Sequence, residues 1–179
     1  GLNGENSSIA MHPSYVSRPT GREVGEFVAL DMGGSNVRVT VVVLAGDGVI
    51  SVKQHETLRL SRIDGEAADL FDPIAAFIGS VLEEGRNYDL GFIFAFPTDQ
   101  AGVNRGRLTK WTKEFAFRGV EGNDVSELLE QSIVRQTGTI PELKSVSVTA
   151  LANDTVGVLV TGAYSDARCD MGLIVATGT

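Results

Sequence analysis

Apolar positions along the chain switch between two periods, and the switches divide it into elements. Phe27–Asp31 is a short apolar run that ends in Asp31-Met32-Gly33-Gly34, a strand running into a turn. Val37–Leu44 is rich in Val, and Gly46-Asp47-Gly48 behind it is a hairpin signal leading into Val49–Leu60. Together these segments predict an antiparallel three-stranded meander. Over Gly65–Glu84 the period changes. Ala67, Leu70, Phe71, Ile74, Phe77, Ile78, Val81 and Leu82 recur at helical spacing. Asp72-Pro73 either starts this helix or kinks it, and Gly85 suits its C-terminal cap. Leu90–Phe96 reads as a buried strand. Pro97–Phe117 reads as a long polar, Gly-bearing loop holding Trp111, and loops of that length are usually functional. Asp124-Val125-Ser126-Glu127 has the form of a capping box and predicts a helix ending near Gly138. Ser145–Ala150 reads as a strand, Asp154 to about Tyr164 as an apolar helix, and Met171–Val175 as a last strand before Thr177-Gly178-Thr179. Residues 1–26 are polar and without period, an N-terminal arm. The order βββαβαβα, then a further β, predicts an α/β domain with a mixed sheet flanked by helices.

Composition narrows the class. The chain has 179 residues, enough for one domain with a sizeable core. Lys and Arg number 15 against 23 Asp and Glu, a net charge of −8, which argues against nucleic-acid binding through a broad basic face. Cys169 is the single cysteine, so no intrachain disulfide forms, as suits a reducing compartment. The first residues carry no apolar signal core, and Val39–Ala45 and Leu90–Pro97 are strand-length, far short of a membrane span. A cytoplasmic location is the expectation. His12 and His55 stand alone and suggest no metal cluster. Glycine is abundant, 21 residues, and suggests tight turns or loops that approach a ligand closely.

Four segments carry candidate chemistry, each with an ordinary structural alternative. Asp31-Met-Gly-Gly-Ser-Asn-Val-Arg38 lies between two strands. Gly33 and Gly34 allow a turn whose N–H groups converge on an anion. Ser35 and Asn36 add neutral donors, Arg38 a cation, and Asp31 a ligand for phosphate-bound Mg²⁺. No Gly-Lys-Ser/Thr follows, and a strand rather than a helix comes next, so neither a Walker loop nor a dinucleotide fingerprint is present. The alternative is a plain hairpin with a solvated Arg. Trp111-Thr112-Lys113 offers a hydroxyl and an ammonium to a polyol, or is a surface loop pinned by Trp111 and Phe115. Asn153-Asp154 either caps a helix or places Asp154 at a strand end as a base toward a hydroxyl during phosphoryl transfer. Thr177-Gly178-Thr179 either offers donors to a phosphate or is an ordinary strand-end turn.

In order along the chain, these segments resemble the eukaryotic-type hexokinase family within the actin-like ATPase, ribonuclease H-like superfamily. Met11-His-Pro-Ser-Tyr-Val16 is similar to the family's Met-Leu-Pro-Thr-Tyr/Phe-Val. Phe27-Val-Ala-Leu-Asp-Met-Gly-Gly-Ser-Asn-Val-Arg38 is similar to its first phosphate motif. Trp111-Thr-Lys113, Asn153-Asp-Thr-Val-Gly157 and Gly172-Leu-Ile-Val-Ala-Thr-Gly-Thr179 resemble its sugar loop, catalytic motif and second phosphate turn.

The resemblance implies a parent enzyme that moves the γ-phosphoryl of Mg-ATP to the 6-hydroxyl of glucose or a related hexose. It assigns Asp154 as the base, and Thr112, Lys113, Asn153 and Asp154 to the sugar hydroxyls. Asp31, Gly33, Gly34, Ser35, Asn36 and Arg38 fall to the phosphate and Mg²⁺ region, Asp31 acting on the metal through water. Thr177, Gly178 and Thr179 open a second phosphate contact. Residues 27–170 would form the small lobe and 171–179 the first strand and turn of a large lobe whose remainder is the partner. The isolated lobe is expected to be inactive. Three positions depart from the family pattern. Ala95 stands where the family has a sugar-binding Ser, a loss on the order of 1 kcal/mol. Glu114 stands for a Gly after Trp-Thr-Lys, and Ala176 for a Gly opening the last turn. These departures motivate a different reading, a catalytically weak hexokinase-like sugar sensor.

Overall fold

The computed structural model describes residues 12–175. The predicted meander is formed by β1 (Val24–Met32), β2 (Asn36–Ala45) and β3 (Ile50–Arg59), paired antiparallel. Gly46 and Gly48 hold φ of 80° and 77°, so the β2–β3 turn needs the two glycines that signalled it. β1 begins inside the predicted arm. The segment before it is tied down, because Thr20 donates to the Glu23 carboxylate through its amide (2.8 Å) and hydroxyl (2.9 Å).

A three-residue strand, β4 (Asp64–Glu66), precedes α1 (Ala67–Val81). The helix starts earlier than Pro73 because Glu66 and Asp69 form a capping box, with the Glu66 amide donating to the Asp69 carboxylate at 2.8 Å. Pro73 therefore lies inside the helix, on its exposed side. Gly85 is not the helix cap. Leu82 holds that place, and Gly85, at φ 80°, turns the chain toward β5 (Tyr88–Phe94).

The stretch predicted as one long loop contains regular structure. β6 (Thr98–Gly102) and β7 (Arg105–Leu108) form an antiparallel hairpin, and β8 (Ala116–Arg118) pairs in parallel with β4. The hairpin escaped the apolar pattern because its inward positions include Gln100 and Gly106, both buried. It shields the outer edge of β9 (Val146–Ala152): Gln100 Nε2 donates to the Leu151 carbonyl at 2.6 Å, Asn104 Nδ2 to that of Val148 at 2.9 Å, and the Leu151 amide to that of Val103 at 2.8 Å. α2 (Val125–Gln136) starts where the capping signal stands, with Asp124 accepting from the Glu127 amide at 3.0 Å. A 3₁₀ turn, Pro141–Ser145, leads into β9, and α3 (Asp154–Ser165) follows it directly.

The main sheet has the order β3-β2-β1-β5-β9, with β1, β5 and β9 parallel. Alternate residues build one core: Val28, Leu30 and Met32 of β1, Val37, Val39 and Val41 of β2, and Leu90, Phe92 and Phe94 of β5 pack with Leu70, Phe71, Ile74 and Ile78 of α1 and Leu129 of α2. α3 covers the opposite face, where Gly157 lies against Ile93. Met171–Val175, predicted as a strand, is not one. No strand pairs with it among the described residues, and it runs instead along α3, with Gly172 against the Leu159 amide and the Thr155 carbonyl. Met171, Leu173 and Val175 are exposed. Among the described residues no helix is long and apolar enough to cross a membrane.

Candidate functional site

The parallel register brings two of the four candidate segments to one end of the sheet, and the hydrogen bond from Lys113 to the Ala95 carbonyl joins a third to them. Asp31 of β1 pairs with Ile93 of β5, which pairs with Ala152 of β9. Each strand runs out within two residues of that line. The phosphate turn follows β1, Ala95-Phe96-Pro97 follows β5, and Asn153-Asp154 follows β9. Neighbouring strands lie about 4.8 Å apart, so the phosphate turn and Asp154 are separated by roughly 10 Å across the sheet.

In the phosphate turn, Arg38 Nη1 donates to Asp31 Oδ2 at 2.9 Å, across the antiparallel pair that the two residues form. Asp31 Oδ1 has no hydrogen-bond partner among the described residues. The Gly33 amide donates to the Asn36 carbonyl at 3.0 Å, which closes the turn, and the amides of Gly34 and Ser35 meet no backbone acceptor among the described residues. The glycines are not required for left-handed backbone, since neither Gly33 nor Gly34 has a positive φ. Gly34 instead leaves space for a neighbouring side chain. A Cβ there would come 2.7 Å from Lys113 Cδ, whereas at Gly33 the nearest atom is the Asn36 carbonyl oxygen, at an ordinary 3.5 Å.

The sugar-loop segment is fixed by aromatic packing. Trp111 stacks edge-on against Phe96 (centroids 4.9 Å apart) and touches Phe94, Phe115 and Phe117. Its indole N–H donates to the Phe117 carbonyl at 2.9 Å and its amide to Glu121 Oε1 at 2.6 Å. Pinning by Trp111 and Phe115 is thus real, and it presents Thr112 and Lys113 outward. Lys113 Nζ donates to the Ala95 carbonyl at 2.8 Å and sits 5.0 Å from the centre of the Phe96 ring. The Ala95 amide in turn donates to the Met32 carbonyl at 3.1 Å. Ala95 and Phe96 thus hold the Lys113 ammonium in place, whereas the sequence marks Ala95 only for its missing Ser hydroxyl. Lys113 and Glu114 hold φ of 57° and 66°. The Gly-to-Glu departure therefore falls at a left-handed position, where glycine is free of strain and glutamate is not.

At the end of β9 the capping reading of Asn153-Asp154 is observed, and Asp154 stands at the strand end. Asn153 is the N-cap of α3, accepting from the Thr155 amide at 3.2 Å, and Asp154 is the first helical residue, with Oδ1 accepting from the same amide at 2.8 Å. Asp154 is half-buried, and Asn153 is exposed. Thr112 and Ser35 are exposed too, so the site is an open ledge along the sheet end. A cleft of about 410 Å³ lined by Trp111, Phe115, Phe117, Arg118 and Glu121 lies behind the sugar-loop segment and contains none of Asp31, Lys113 and Asp154. Thr177, Gly178 and Thr179, Ala176 before them and Met11 of the first motif lie outside the described residues.

A meander extended by two parallel strands, with helices on both faces and a glycine turn after β1, defines the ribonuclease H-like, actin-like ATPase class. The hexokinase family model matches residues 1–164. The chain is 42% identical to Hexokinase-3 of Mus musculus, covering 100% of this chain and 19% of that protein, and 42% identical to Hexokinase of Schistosoma mansoni, covering 98% and 39%. It superposes on the structure of the Schistosoma mansoni hexokinase complexed with glucose with a TM-score of 0.84 and 38% identity, over 96% of this chain and 38% of that one. The chain belongs to the hexokinase family. It spans well under half the length of these relatives.

Proposed function

We propose that this chain is the sugar-binding small lobe, residues 27–170, of an ATP-dependent hexose kinase that phosphorylates glucose or a related hexose at its 6-hydroxyl. The observation that carries the reading is the convergence at one sheet end of Asp154, the Lys113 ammonium and the phosphate turn, with Lys113 bound to Ala95 and lying on Gly34. The glucose complex of the Schistosoma mansoni relative supports it.

Asp154 accepts the proton of the sugar hydroxyl as its oxygen bonds to the γ-phosphorus and the bond to the leaving ADP oxygen breaks. Its carboxylate suffices at ordinary basicity, because the transition state is loose and asks little charge of the nucleophile. Thr112, Lys113 and Asn153 orient the hexose through its other hydroxyls. Asp31, Gly33, Gly34, Ser35, Asn36 and Arg38 face the phosphates. The free Oδ1 of Asp31 would hold a phosphate-bound magnesium ion through water, and the open amides of Gly34 and Ser35 suit the phosphate oxygens. That ion, when bound, neutralises charge on the transferring phosphoryl group. Thr177, Gly178 and Thr179 complete the phosphate contacts, and a large lobe closes over the exposed ledge and excludes water. The enzyme works in the cytoplasm.

The test is ADP formation by the intact protein with Mg-ATP, with and without glucose. Glucose-dependent ADP is the expected result. Glucose binding by calorimetry without turnover would favour the sensor, and no glucose binding would overturn both readings.

A further inference from the structure

Gly34 belongs to the phosphate turn, yet the side chain packed on it comes from the sugar loop. A Cβ at Gly34 would stand 2.7 Å from Lys113 Cδ, 3.5 Å from its Cβ and 3.6 Å from its Cγ. The Lys113 chain therefore lies along bare backbone at Gly34. Its far end is held by the Ala95 carbonyl and the Phe96 ring, and Ala95 is itself bonded to Met32, two residues before Gly34. The phosphate turn, the end of β5 and the sugar loop thus form one closed set of contacts. The backbone at Gly34 is not left-handed, so conformation does not demand glycine there. Glycine there leaves the Lys113 chain its present path.

We propose that Gly34 is a positioning residue for the hexose: by leaving room for the Lys113 chain, it couples the phosphate turn to the sugar loop. This rests on the hexokinase reading of the site. A displacement of the turn at Gly34 moves Lys113, and by reciprocity a change at Lys113 is felt by the phosphate ligand. The contact at risk is a flexible methylene chain rather than backbone, so an alanine at this position pushes Lys113 aside and leaves the strands in place.

The experiment uses the intact protein and reads glucose binding by titration calorimetry in the absence of nucleotide. Gly34→Ala is expected to weaken glucose binding about tenfold, and to raise the KM for glucose with it, although Gly34 touches no sugar. In a Lys113→Ala background the same substitution is expected to have no further effect on glucose. Unchanged glucose affinity in Gly34→Ala, or the same tenfold loss in both backgrounds, would overturn the proposal. Should Gly34→Ala not fold, Lys113→Ala alone decides: weakened binding of a non-hydrolysable ATP analogue supports the coupling, and unchanged binding overturns it. Failure of the unmodified protein to bind glucose would instead overturn the hexokinase reading.

Discussion

Glu114 and Lys113 are consecutive non-glycine residues in left-handed backbone, at the point where the sugar loop turns. Left-handed backbone costs a side-chain-bearing residue roughly 1–2 kcal/mol, and the freedom glycine loses on folding takes back part of the gain from replacing it. Glu114→Gly is therefore expected to raise the unfolding free energy by about 1 kcal/mol, measured by urea titration. Ser126 is a second site of latent stability. Its Oγ is fully buried without a hydrogen-bond partner among the described residues. Removing a buried, unpaired hydroxyl relieves its desolvation, so Ser126→Ala is expected to stabilise by about 1 kcal/mol in the same assay. The position of Glu114 was legible in the sequence as a departure from a family glycine. The need for Gly34 was legible only as a turn signal, because its reason is a side chain from a distant segment.

Asp124 joins two elements. One carboxylate oxygen caps α2 at the Glu127 amide, 3.0 Å away, and the other accepts from the Gly106 amide of β7 at 2.8 Å. Asp124→Ala removes a cap and leaves a partly buried amide unpaired, and is expected to cost about 2 kcal/mol by urea titration. β3 is fastened to the end of α1 by another cluster. Lys53 Nζ donates to Glu83 at 2.9 Å and lies 3.4 Å from Glu26, which Arg86 also reaches at 3.2 Å. The hydrogen bond from Lys53, and then that from Arg86, hold the Glu83 carboxyl below its usual value of 4.5. A depressed carboxylate stabilises the fold above its unfolded value and loses that contribution as pH falls through the folded one. The stability gap between the unmodified protein and Glu83→Gln is thus expected to be open at neutral pH, to close as pH drops below 4.5, and to shrink in salt. Elements with apolar period were legible, namely β1, β2 and α1, and so were β3 from its glycine hairpin signal and the start of α2 from its cap. The hairpin of β6 and β7 was not, because Gln100 and Gly106 fill positions that an apolar pattern requires. Met171–Val175 has strand composition but no partner strand among the described residues, and composition alone does not supply one.

At the scale of the whole molecule, the sheet order turns separate motifs into one ledge. Asp31, Ile93 and Ala152 share a register line, so residues far apart in sequence meet beyond it. The motifs were legible because their residue types and order resemble a family. Their convergence follows from the parallel pairing of β1, β5 and β9, which no local pattern encodes. The central claim is that Asp154 takes the hydroxyl proton while other residues hold the sugar. The most direct test compares Asp154→Asn with the unmodified intact protein, measuring kcat for glucose-dependent ADP formation and, separately, glucose affinity by calorimetry. Asn keeps the size and most of the hydrogen bonding of Asp, so the account predicts a fall in kcat of about 100- to 10,000-fold with glucose affinity changed little. An unchanged kcat would contradict it and leave Asp154 as no more than the first residue of a helix.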